Sequence, residues 1–102
     1  MALTRDFKQT VLARVQAEPA FREALLKEGV EALLAGEVEL GKTMLRDYIK
    51  ATVGFEQLGA EVGTSPKSLI RMFGPRGNPQ ARNLFAVLSH LQRLAGFSLQ
   101  LR

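Results

Sequence analysis

Residues 55–72 read FEQLGAEVGTSPKSLIRM, and the order of small, turn, capping and apolar positions in this stretch decides the fold. Leu58 and Val62 share one face at i, i+4 spacing, which predicts a helix from about Phe55 to Val62. Gly59 lies on the same side, where a second helix approaches and a larger side chain would collide. Gly63 supplies a turn in which a positive φ is needed and only glycine adopts it freely. Ser65 then offers an N-cap oxygen and Pro66 the favoured first helical position, so a second helix starts there. Leu69 and Met72 form its inward pair, which leaves Pro66, Lys67, Ile70 and Arg71 on the outward face. Two short helices meeting across a brief glycine-containing turn make a helix-turn-helix.

The surrounding chain reads as helical. Thr4 can cap a helix to about Gln16, with Phe7, Val11 and Val15 repeating every four residues. Pro19 opens a second helix whose Phe21, Leu25, Leu26, Val30, Leu33 and Leu34 form a broad apolar stripe, and Gly36 suits its C′ position. A third, from about Val38 to Thr52, turns Leu40, Met44, Leu45, Tyr48 and Ile49 inward. After the 55–72 pair comes GPRGNP at 74–79, which is turn chemistry. A last helix from about Gln80 to Ala95 buries Leu84, Val87, Leu88, Leu91 and Leu94. Beyond Gly96, the residues Phe97, Leu99 and Leu101 alternate with polar ones, a strand pattern. A lone strand has no partner here. Two arrangements are open: a tail folded over the helices, or pairing of two chains across a twofold axis. The second is favoured, with Phe97, Leu99 and Leu101 as the dimerisation residues.

At 102 residues the chain is expected to form a single domain, 1–102. Its parts are N-terminal helices at 1–54, the helix-turn-helix and following helix at 55–95, and the strand at 97–101. With 46% hydrophobic and 24% charged residues the composition is that of a soluble globular protein. Cysteine is absent, which excludes disulfides and Cys-based metal sites. The N-terminal stretch MALTRDFKQTVLARV has no apolar h-region, and no run is long enough to span a membrane, so a cytoplasmic location is expected.

The net charge of +4 is unevenly placed. Residues 1–54 hold eight Lys/Arg and eight Asp/Glu, whereas 55–102 hold six Lys/Arg against Glu56 and Glu61. After Glu61 no acid follows, and Lys67, Arg71, Arg76, Arg82, Arg93 and Arg102 stand unopposed. An acid-free stretch that begins inside a helix-turn-helix is an electrostatic footprint for nucleic acid. Candidates for catalysis are thin. His90, the one histidine, has no acid or cysteine near it in sequence, so neither a general base nor a metal site is expected there. GPRGNP lacks the Lys and Ser/Thr of a phosphate loop. The chain is expected not to be an enzyme and to need no cofactor or metal.

Residues 55–94 resemble the Xre/Cro family of phage-repressor-type DNA-binding domains. More narrowly, SLIRMFGPRGNP followed by an apolar helix and a short FSLQL tail is similar to the addiction-module antidote proteins, HigA-like antitoxins of type II toxin–antitoxin pairs. The similarity covers roughly residues 30–102, with the GNP loop its most specific element. The resemblance implies a cytoplasmic homodimer that represses its own operon and binds a small RelE-like ribonuclease toxin. The expected fold is an all-α bundle of five to six helices with a phage-repressor-like helix-turn-helix and a C-terminal strand. Phe55 departs from the pattern, standing where many such domains carry a phosphate-binding Gln, and Pro66 and Ile70 stand where polar residues are common. Fewer polar readers imply more reliance on DNA shape.

A recognition helix places its N-terminal residues at base edges in the major groove. Pro66, Lys67, Ile70 and Arg71 are therefore the base-reading candidates, Arg71 foremost because its fork matches guanine O6 and N7. Lys67 suits a guanine or a phosphate equally; Pro66 and Ile70 offer apolar contact only. Ser65, Ser68, Arg76, Asn78 and Arg82 are the phosphate candidates, with Ser65 equally an N-cap and Asn78 equally a turn residue. Backbone N–H groups at the start of the last helix would add to them. The expected function is sequence-specific binding of an operator in double-stranded DNA by an antitoxin and autorepressor. The alternatives are a stand-alone or phage-derived regulator without a toxin, and a protein-interaction module that no longer binds DNA. A toxin would face residues 1–54, with Glu18, Glu23, Glu28, Glu31, Glu37 and Glu39 as contacts, unless these acids only balance the cations of their own helices.

Overall fold

In α2 (Pro19–Leu34) and α3 (Val38–Ala51) the apolar stripes meet at two glycines. A Cβ at Gly41 would stand 2.9 Å from the carbonyl oxygen of Gly29, so the two backbones approach closely there. Leu26, Val30 and Leu45 fill the space on either side, each buried. The computed structural model of the protein describes residues 13–96, all helix, turn and loop. The other helices are α1 (residues 13–17), α4 (Phe55–Val62), α5 (Pro66–Met72) and α6 (Ala81–Ala95). The protein is thus a six-helix, all-α bundle over the described residues. Phe97, Leu99 and Leu101, with the expected strand at 97–101 and the cap at Thr4, lie outside them.

The end of α1 is fixed by the side chains of α2. Val15 is buried, and Arg22 donates from one guanidinium nitrogen to the carbonyl oxygens of Val15 and Gln16, both at 2.9 Å. These are among the carbonyls that a helix C-terminus leaves without an internal partner, and a cation is favoured beside them. Arg14 bonds to Glu18 at 2.7 Å and lies over the ring of Phe21.

One core joins both halves of the chain. Leu26, Leu45, Ile49, Leu58, Leu69, Phe73 and Leu91 are fully buried and belong to a cluster drawn from α2 to α6 and the residue after α5. Fully burying such a side chain contributes about 1.5–3 kcal/mol. Phe55 is part of this cluster, a core plug rather than a surface contact. Three residues expected to face inward do not. Leu34 is 62% exposed, Leu40 51% and Leu94 49%. All three sit at helix ends: Leu34 closes α2, Leu40 is in the first turn of α3 and Leu94 in the last of α6. The apolar period there runs on past the length of the helices that would cover it.

Between α4 and α5 the chain reverses over three residues. Gly63 takes φ +74°, the left-handed conformation that ends many helices, and the N–H groups of Gly63 and Thr64 both close on the carbonyl of Gly59 at 2.9 and 3.0 Å. A Cβ on Gly59 would overlap the carbonyl oxygen of Thr64, which is backbone and has nowhere to go. Ser65, in extended conformation, accepts from the N–H of Ser68 at 3.2 Å and so caps α5, with Pro66 at the first helical position.

Candidate nucleic-acid interface

Helix α5 turns Leu69 into the core and holds Lys67, Ile70 and Arg71 exposed on its other side, with Pro66 half-buried. Ser65 and Ser68 are exposed, but their hydroxyls are bonded to each other at 2.9 Å, and Ser65 also accepts the capping bond. Of the two roles open to Ser65, the N-cap is the one filled. A phosphate would have to share these hydroxyls with the cap.

The segment 74–79 is an ordered turn rather than a slack connection. The N–H of Gly77 donates to the carbonyl of Gly74 at 3.0 Å, which closes a β-turn with Pro75 second and Arg76 third. Proline at the second position presets the φ that such a turn requires. Arg76 therefore stands at the tip, exposed. Gly77 packs so closely on the end of α5 that a Cβ would overlap the carbonyl oxygen of Arg71. Asn78 is exposed, and Pro79 leads into α6, whose N-cap Gln80 makes no side-chain capping bond. The first N–H groups of α6 thus have no side-chain acceptor from the cap, and Arg82 is exposed in its first turn. Free N–H groups at a helix start favour an anion.

A residue that sequence reasoning missed holds this turn. Lys42 of α3 is only 2% exposed, and its ammonium donates to the carbonyls of Gly74 at 2.8 Å and Gly77 at 3.0 Å, with Glu39 at 3.2 Å. Two hydrogen bonds to carbonyls and an ion pair with Glu39 are what keep this buried charge tolerable. No local signal could have found it, because the partners lie 32 and 35 residues along the chain.

Charges divide sharply across the site. Lys67, Arg71, Arg76 and Arg82 form no ion pair with any described residue. The nearest acid in sequence, Glu61, is engaged elsewhere. Its carboxylate lies 2.6 Å from Nε2 of His90 and accepts from Gln57 at 2.9 Å. His90 therefore does have an acid beside it, contrary to the sequence expectation, because the packing of α4 on α6 spans 29 residues. The hydrogen bond from His90, then that from Gln57, holds the Glu61 carboxyl below its usual range against a smaller opposing effect of desolvation. Gln57, two residues after Phe55, spends an amide N–H on this carboxylate.

Elsewhere, the exposed Leu34, Val38 and Phe85 line an apolar groove of about 380 Å³ floored by Val30 and Leu88. Among the described residues no three His, Cys, Asp or Glu side chains gather into a metal site, and no helix is long and apolar enough to cross a membrane. The chain matches no family model, no curated protein and no solved structure.

Proposed function

We propose that α4, the turn at 63–65 and α5 act as a DNA-reading helix-turn-helix, and that the protein is a sequence-specific, non-enzymatic repressor. The observation that carries this reading is the run of four successive exposed cations in the sequence, Lys67, Arg71, Arg76 and Arg82. All are exposed and without an acid partner among the described residues, on one short helix, the turn after it and the start of the next helix. Exposed cations contribute little to fold stability even when paired, so four left unpaired in succession suit an external anion. Arg71, with Lys67 one turn before it, would read base edges, while Arg76, Arg82 and the first N–H groups of α6 would hold phosphates.

On the similarity of SLIRMFGPRGNP and its flanks to addiction-module antidotes, we extend the proposal to a cytoplasmic homodimeric antitoxin that represses its own operon. Its partner would be a small, basic RelE-like toxin. Of the acids of the first half, Glu18 and Glu39 are paired with Arg14 and Lys42, while Glu23, Glu28, Glu31 and Glu37 suit such a partner, and the groove at Leu34, Val38 and Phe85 offers an apolar anchor. The test is twofold. The protein should bind the duplex upstream of its own coding sequence more tightly than a scrambled duplex, and should co-purify with the product of the adjacent gene. Tight operator binding without any co-purifying partner would leave a stand-alone regulator; equal affinity for both duplexes would remove the repressor reading.

A further inference from the structure

Lys42 is the one buried charge among the described residues, yet it sits on α3, far in sequence from every candidate DNA contact. Its ammonium takes the carbonyls of Gly74 and Gly77, the first and last residues of the turn that carries Arg76. Gly74's carbonyl accepts twice, from Lys42 and from the N–H of Gly77, so the same oxygen that closes the turn also ties it to α3. The aliphatic stem reaches these oxygens through the interior, and the charge is paired with the Glu39 carboxylate at 3.2 Å. Lysine suits this position, because a compact point charge with three donors can bridge two carbonyls that diverge from one turn.

We propose that Lys42 is a positioning residue that braces the 74–77 turn from inside and so presents Arg76 to a DNA phosphate. This rests on the DNA-binding reading above. Lys42 itself stays buried and touches no nucleic acid. A turn held at both ends costs less ordering when a phosphate arrives, and that is the gain from preorganisation. Because the brace acts on a phosphate contact and not on a base edge, its loss weakens all duplexes alike.

The test uses Lys42→Met, which keeps the stem and removes all three donors. In the DNA-free protein, amide exchange at Gly77 should quicken while that of α2 and the rest of α3 holds. On DNA, the variant should lose about tenfold in affinity for cognate and scrambled duplex equally, with the salt slope lower by about one unit. Adding Arg76→Ala to Lys42→Met should cost nothing further, since the contact is already gone. Gly77→Ala, which keeps the lysine but displaces the turn and with it the carbonyls that the ammonium holds, should reproduce this pattern if Lys42→Met fails to fold. Unchanged exchange at Gly77 overturns the brace itself. Additive losses in the Lys42/Arg76 cycle, or a selective loss on the cognate duplex, overturn the positioning role while leaving DNA binding intact. A native protein with no salt-dependent affinity for any duplex removes the DNA reading and this role with it, whatever the exchange shows.

Discussion

The two halves of the molecule differ in how close approach and charge are used. In α2 and α3 the tight contacts at glycine are mixed: a Cβ on Gly29 would meet the side chains of Leu45 and Met44, whereas one on Gly41 would meet Leu33 and the carbonyl oxygen of Gly29. In α4 and the turns on either side of α5 they are with backbone: Gly59 against Thr64, Gly77 against Arg71. Cations divide less cleanly, since Lys27, Arg46 and Lys50 of the first half also form no ion pair with any described residue. Arg14, Arg22 and Lys42 of the first half are engaged with carboxylates or carbonyls of the chain, whereas Lys67, Arg71, Arg76 and Arg82 of the second are not ion-paired with any described residue. A half whose backbone is locked and whose charges are left free is suited to hold those charges in fixed register against an outside partner.

The sharpest way to break this comparison is to add the same methyl group to each half. Gly59→Ala should destabilise the protein by about 3 kcal/mol, the upper part of the range for overpacking, because the carbonyl of Thr64 cannot yield. Gly29→Ala should cost under about 1 kcal/mol, since a small side-chain shift relieves it and alanine favours the helix. Denaturant titration of both variants checks this, and equal losses would mean that the halves do not differ in rigidity.

Charge removal sharpens the second part. Arg71→Ala should weaken cognate DNA by about 1–3 kcal/mol and relax preference at one base position. Arg76→Ala should weaken every duplex similarly and lower the salt slope by about one unit. Competition with scrambled DNA separates the two, and a uniform loss for Arg71→Ala would move that residue from base reading to phosphate contact.

The contrast is only partly legible in the sequence, for reasons of range. Gly59, Gly63 and the Ser65–Pro66 start of α5 act within a few residues, so their roles can be read from spacing alone. Those helix bounds fall at Phe55–Val62 and Pro66–Met72, as the spacing predicts. Lys42 on the turn and His90 on Glu61 are contacts between distant segments, invisible to any local period. The exposed Leu34, Leu40 and Leu94 show the converse limit. Periodicity marks an apolar stripe but not where the covering helix ends. Phe97, Leu99 and Leu101 lie outside the described residues; removing 97–102 should shift a dimer to monomer in ultracentrifugation, and an unchanged dimer would place the interface elsewhere.

A smaller effect concerns the clasp between α4 and α6. The folded state holds the Glu61 carboxyl below its ordinary value, so the unfolded chain takes up a proton there first as the solution is acidified. The stabilisation from this group is therefore present above the ordinary carboxylate range and is lost as pH falls through the lowered folded value. Glu61→Gln should be less stable than the native protein at about pH 6, and the gap should narrow as the pH falls through the lowered folded value. A gap independent of pH would show that the carboxylate charge plays no part in the clasp.

The most direct measurement of the central claim is the salt dependence of DNA affinity for the native protein and for a variant with Lys67, Arg71, Arg76 and Arg82 all changed to Ala. Four phosphate-neutralising cations per chain predict a slope of log K against log salt of roughly −3 to −4 per chain. A base-reading role for Arg71 or Lys67 would make it somewhat shallower. The quadruple variant should fold with nearly native stability and show a slope near zero. A native slope near zero, or one that the variant retains, would contradict the account.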